Sequence, residues 1–208
     1  MTLSTDNMSA IQRLGWNILQ QTQINDEISR SLKNRLAAYG EEGFQGFDDE
    51  AGWVTCVLAL HSETTSNFGV GALIVDSKGK VITHGHNEIC APLFRSDAHA
   101  EMVVLSSFET AFPNRKKSGL CLYSSLEPCP MCYTRILISG IPRILYVADD
   151  DAGGMVQRSH HMPEFWRALE PNCTFRRAEV RPELRRISFD ILSSNMDELL
   201  HSLKLQPL

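Results

Sequence analysis

The chain has 208 residues with 20 Lys+Arg against 25 Asp+Glu, a formal net charge of −5 with histidines neutral. Apolar residues make up 43% and charged residues 22%, close to the globular average, which argues against a disordered chain or a fibrous repeat. No run approaches the roughly 18 consecutive apolar residues of a membrane span, and the acidic balance argues against indiscriminate binding to nucleic acid, because that affinity comes mostly from Lys and Arg neutralising phosphates.

Ile11, Leu14 and Ile18 recur at helical spacing, and so do Ile24, Ile28, Leu32 and Leu36 ahead of Gly40, so residues 1–46 read as a helical N-terminal extension without a motif. The opening Met1-Thr2-Leu3-Ser4-Thr5-Asp6 has no basic stretch followed by an apolar one, which makes a cytoplasmic protein the simplest expectation. A turn at residues 43–47 leads into Asp48-Asp49-Glu50, negative charge suited to the positive end of a helix over residues 51–61. Two β-rich runs, residues 71–75 and 80–84, flank Asp76-Ser77-Lys78-Gly79 and read as a hairpin. Past an irregular loop around Pro92, Asp97 is placed to cap a helix over residues 98–111 that Pro113 closes. Residues 119–124 read as a buried strand, Pro128 opens a helix that stops at Gly140, and residues 144–147 form the next strand. Residues 149–162 are a polar loop. A short helix over 164–169, a strand over 174–180, and one helix carrying Ile191, Leu192, Met196, Leu199 and Leu203 on a single stripe complete the chain. Strands alternating with helices imply an α/β fold with helices packed on a central sheet.

Six cysteines are too sparse for a disulfide scaffold. Cys56, Cys90, Cys121 and Cys173 stand alone and read as small core residues. Cys129 and Cys132 form a C-x-x-C pair at a helix start, and His99-Ala100-Glu101 lies at the start of the preceding helix, so both motifs face one end of the sheet. One imidazole and two thiolates suit a zinc ion and leave its fourth position open, which separates catalytic from structural zinc. A water in that position has its pKa lowered to about 7. Glu101, two residues from His99, is placed to handle its proton. C-x-x-C alone is also what a thiol-redox motif offers. A structural zinc site would need a fourth ligand, and none of Cys90, Cys121, His84 or His86 supplies a second pair.

The string His99-Ala100-Glu101, followed by Ser125-Leu126-Glu127-Pro128-Cys129-Pro130-Met131-Cys132, resembles the H-x-E and P-C-x-x-C signature of the zinc-dependent cytidine deaminase superfamily, in the form of its guanine, cytosine and tRNA adenosine deaminase branch. The likeness covers roughly residues 48–170, within a deaminase domain over 47–208. It includes Gly69-Val70-Gly71-Ala72 before the hairpin and Gly85-His86-Asn87 after it. Phe68-Gly69-Val70-Gly71 departs from the Pro-Phe-Gly or Pro-Val-Gly usual there, which puts pocket shape in doubt. The resemblance implies a three-layer α/β/α fold, a mixed five-stranded sheet between helices, and a homodimer with its interface near the site. It further implies one zinc per chain on His99, Cys129 and Cys132, with Glu101 as general acid/base. The Ala100 N–H, the Glu127 C=O and the Asn87 side chain, with both donor and acceptor, are its contacts to the base.

The expected activity is hydrolytic deamination of a nucleobase or related small aminated heterocycle, guanine first. A tRNA-editing adenosine deaminase is the alternative, and a catalytically idle zinc or redox module a further one. Phe165 and Trp166 are possible pocket aromatics, His160 and His161 a possible lid, and His84 and His86 are expected to flank the site. Arg176, Arg177, Arg181, Arg185 and Arg186, interleaved with Glu179 and Glu183, read first as a solvated face and second as an RNA contact. The N-terminal extension suits either the pocket mouth or an oligomer interface.

Overall fold

The computed structural model describes residues 8–204; the opening Met1 to Asp6 stretch lies outside them. Five strands form one mixed sheet in the order β2-β1-β3-β4-β5. β1 (Gly71–Val75) runs antiparallel to β2 (Val81–His86) and to β3 (Cys121–Leu126), whereas β3, β4 (Arg143–Ala148) and β5 (Thr174–Arg177) are parallel. Every residue of β1 and β3 is buried, as expected of central strands covered on both faces. In the β1–β2 turn, the Asp76 carboxylate accepts from the backbone N–H groups of Lys78 and Lys80, and Gly79 takes the left-handed conformation at φ 76°.

One face of the sheet carries α3 (Phe47–Thr64) and α7 (Pro182–Ser193), and the other carries α4 (Ala100–Ala111) and α5 (Pro130–Ser139). The three-layer α/β/α arrangement is therefore present. Outside α3 lie α1 (Ala10–Gln21) and α2 (Glu27–Glu41). Ile11, Leu19, Leu32, Leu36 and Tyr39 of these two helices share one continuous core with α3, α7 and the sheet. The N-terminal helices thus pack behind the sheet, and none of their residues lines the cavity described below.

Several boundaries differ from the sequence expectation for local reasons. Asp26, whose side chain accepts from Ser29 N at 2.7 Å, starts α2 after Ile24; Ile28 then faces outward at 57% exposure while Ser29 turns inward onto Glu63. α3 begins at Phe47, so Asp48, Asp49 and Glu50 occupy its first turn rather than precede it. His99, not Asp97, sits at the N-cap of α4, without a side-chain cap bond, and α5 starts at Pro130, two residues later than Pro128, with Cys129 at its N-cap. A left-handed Gly119 delays β3 to Cys121, and β5 ends at Arg177. The terminal stripe is broken at Ser194-Asn195 into α7 and α8 (Met196–Lys204). Among the described residues no helix is long and apolar enough to cross a membrane.

Candidate active site

Strand β3 ends at Leu126 and hands the chain through Glu127-Pro128 to Cys129, from which α5 rises with Cys132 in its first turn. Beside it, His99 opens α4. Two helix starts converge here, each presenting orphan N–H groups and the positive end of its dipole. The ligand atoms of His99, Cys129 and Cys132 all lie within 4.8 Å of one another, with Cys129 Sγ 3.5 Å from His99 Nδ1. No other such cluster of three occurs among the described residues. One imidazole and two sulfurs in that spacing fit a zinc ion with an open fourth position.

Electrostatics at the cluster favour the ligating form of one thiol. The hydrogen bond from Cys132 and the neighbouring His99 hold the Cys129 thiol down to about 4, against the cost of burial. Cys132 is shifted upward, first by that same hydrogen bond and then by burial. Burial lowers His99, but the Cys129 sulfur outweighs it and raises the imidazole pKa. Glu101 is buried at 3% exposure, and burial, then the Cys129 charge, raises its carboxyl above the usual range. Its Oε1 accepts from Ser124 Oγ at 3.0 Å and its Oε2 lies 3.4 Å from Cys132 Sγ.

His99, Glu101 and Cys129 line a cavity of about 350 Å³ whose walls also include Asn87, Ala100, Glu127, Val70 and Leu126. Asn87 is held on three sides: its N–H donates to Val70 O, its C=O accepts from Ser62 Oγ, and its Oδ1 accepts from Ile89 N. One bond leaves the side-chain oxygen a second lone pair, so Asn87, on the cavity wall, keeps both donor and acceptor capacity. Ala100 is the first residue of α4, whose N–H has no partner within the helix. The Glu127 side chain, not singled out in the sequence, accepts from Asp150 N at 3.2 Å and Gln157 N at 3.1 Å and so ties the following loop to the cavity wall. Gly154 packs so tightly there that a β-carbon would stand 2.5 Å from Glu127 Cδ.

Other candidates lie elsewhere. Phe165 is 66% exposed and Trp166 packs with Met155 and Phe175 near Tyr133 of α5; neither lines the cavity, because the short helix over Glu164–Arg167 stands beside α5 and not over its start. His160 and His161 stack on each other in an exposed turn of 3₁₀ helix and do not line it either. His84 and His86 line a different depression with His61, whose ring meets His86 edge-on at 5.0 Å. Four of the five arginines are engaged in ion pairs, Arg176 with Asp48, Arg177 with Asp149, Arg181 with Glu42 and Arg186 with Glu183, while Arg185 donates to Ala178 O. Among the lone cysteines, Cys56 and Cys121 are buried, while Cys90 and Cys173 are partly exposed. Leu192 of α7 and Leu203 of α8, expected from the sequence on one apolar helical stripe, also wall the cavity, Leu203 from beyond the break between the two helices.

The family model of the cytidine and deoxycytidylate deaminase zinc-binding region matches residues 48–148. The chain is 34% identical over 96 residues to the tRNA-specific adenosine deaminase of Bacillus subtilis, a match spanning 46% of this chain and 58% of that protein. It is 33% identical over 109 residues to the tRNA-specific adenosine deaminase of Agrobacterium fabrum, spanning 48% of this chain and 70% of that one. Among solved structures, a tRNA:A34 deaminase superposes with a TM-score of 0.53 at 27% identity over 66% of this chain and 95% of the other. Guanine deaminase from Nitrosomonas europaea superposes at 0.56 with 20% identity over 69% and 84%, a likeness of fold. This chain belongs to the zinc-binding cytidine and deoxycytidylate deaminase family.

Proposed function

We propose that the protein is a hydrolase that replaces an exocyclic amino group of a nucleobase ring with oxygen, releasing ammonia, and that adenosine in RNA is its first candidate substrate. The observation that carries the reaction is a buried carboxylate, Glu101, held against the His99–Cys129–Cys132 cluster on the floor of a largely apolar cavity. Zinc on those three ligands supplies Lewis-acid activation of water at neutral pH. The new C–O bond forms at the amino-bearing ring carbon, the C–N bond breaks, and the two water protons end on the ring nitrogen and on ammonia. Glu101, its pKa raised by burial, is suited to carry those protons. Asn87 donates to a ring nitrogen or carbonyl, Ala100 N–H and Glu127 C=O address the reacting edge, and Val70 and Leu126 sandwich the ring and exclude water. Relatives more than 30% identical support adenosine in tRNA over the guanine reading.

A second reading, a free base, is favoured by one feature: Leu192 and Leu203 from the C-terminal helices wall the cavity. Ammonia release from a tRNA anticodon hairpin, adenosine, guanine, cytosine and an aminotriazine separates the readings. Turnover confined to the hairpin, with binding weakened by salt, supports RNA; turnover of one free base and none of the hairpin overturns it.

A further inference from the structure

We propose that Ser124 is a positioning residue: its hydroxyl fixes one oxygen of Glu101 so that the other faces the ligand cluster. This rests on the reading of Glu101 as the proton carrier. Ser124 lies in the middle of β3, paired with Ala72 on one side and Tyr146 on the other, and is fully buried. Alternation along the strand puts it on the same face as Leu122 and Leu126, the apolar face that packs on α4 and α5. Its neighbour Ser125 points to the opposite face, where its hydroxyl accepts from Gly71 N. A hydroxyl in that apolar layer needs a partner, and the structure gives it two.

The direction of each bond follows from the donor inventory. Ser124 Oγ accepts from Leu126 N at 3.4 Å, and its single O–H donates to Glu101 Oε1 at 3.0 Å. The second contact of the carboxylate is Cys132 Sγ, at 3.4 Å from Oε2. A thiol can donate there, but a metal-ligating cysteine is a thiolate and cannot. In the zinc-loaded protein Ser124 is then the described side chain that still donates to Glu101. Pinning Oε1 against β3 leaves Oε2 toward the cluster and the cavity, the orientation proton transfer needs.

Zinc-loaded Ser124→Ala and the pair Ser124→Thr and Ser124→Val, alike in shape but differing in the hydroxyl, are compared by crystallography and by turnover. The expected structure has the Glu101 carboxylate displaced by about 1 Å or in a second rotamer in the Ala and Val variants, and unmoved in the Thr variant. On the panel member that the unmodified protein turns over fastest, kcat falls about tenfold to about a hundredfold for Ala and Val with KM within about twofold, and Thr recovers most of the loss. An unmoved carboxylate in both hydroxyl-free variants overturns the proposal, as does an unchanged kcat or a rise in KM alone. Undiminished turnover by Glu101→Ala would instead remove the proton-carrier reading, while the crystal structures still decide whether Ser124 orients the carboxylate.

Discussion

Gly15→Ala is expected to destabilise the whole domain, because α1 meets α3 at this glycine with no room for a side chain. A β-carbon there would stand 2.2 Å from Trp53 Cζ3, against an ordinary carbon contact of about 3.5–4.0 Å. The indole cannot turn aside. Its ring is wedged between Trp16 and Phe44 at centroid distances of 5.1 and 5.3 Å, and its Nε1 donates to Leu36 O at 2.8 Å. Gly40 closes the slot from α2, where a β-carbon would come within 3.1 Å of Trp53 Cζ2. Helix propensity alone favours alanine by about 1 kcal/mol. Overpacking costs about 1–3 kcal/mol, and disturbing the indole hydrogen bond adds about 1 kcal/mol. The net loss is therefore about 1–3 kcal/mol, or a fall in Tm of about 2–12 °C at this chain length. Thermal and urea melts measure it, with the exposed Asn34→Ala on α2 as a control expected to stay within about 0.5 kcal/mol. A Gly15→Ala protein melting at or above the unmodified one would refute the docking of α1 on Trp53.

Two further perturbations test other parts of the structure. Burial, and next the charge of His86, lowers the His61 pKa, and its Nδ1 is buried without a partner. The unfolded chain therefore takes up the proton first, and stability is lost as pH falls through the ordinary histidine value of 6.5. His61→Gln should lose less than the unmodified protein between about pH 7.5 and about pH 5.5 in urea midpoints; equal losses would show that His61 contributes nothing. If the substrate is a free base, Leu203→Ala should raise its KM about tenfold by removing apolar wall, with steady-state kinetics as the readout. An unchanged KM would mean that α8 does not contact the bound ring.

Much of the central scaffold was legible because its signals are local. Asp76 and Gly79 announce the hairpin turn, the apolar runs of β1 and β3 announce strands covered on both faces, and H-x-E with C-x-x-C marks two adjacent helix starts. What was not legible depends on contacts distant in sequence. Whether α1 and α2 cover the cavity or pack behind α3 is decided by Gly15 and Gly40 framing Trp53, which periodicity does not encode. The bond from Ile89 N that fixes the Asn87 side chain is a consequence of loop geometry. Phe165 and Trp166 resemble helix aromatics that related proteins place near the pocket, yet Phe165 is exposed and Trp166 packs on the cluster of Tyr133 and Leu137. The stripe from Ile191 to Leu203 reads as one helix because Ser194-Asn195 is a weak breaker, and the bend there is what puts Leu203 on the cavity wall.

The most direct test of the account is ammonia release across the hairpin, nucleoside and free-base panel by zinc-loaded protein and by Glu101→Ala, with zinc per chain measured on both. The unmodified protein should release ammonia from at least one member. Glu101→Ala should retain about one zinc per chain and lose turnover by at least about a hundredfold. Turnover surviving in Glu101→Ala, or no release from any member by protein carrying its full zinc, would contradict it.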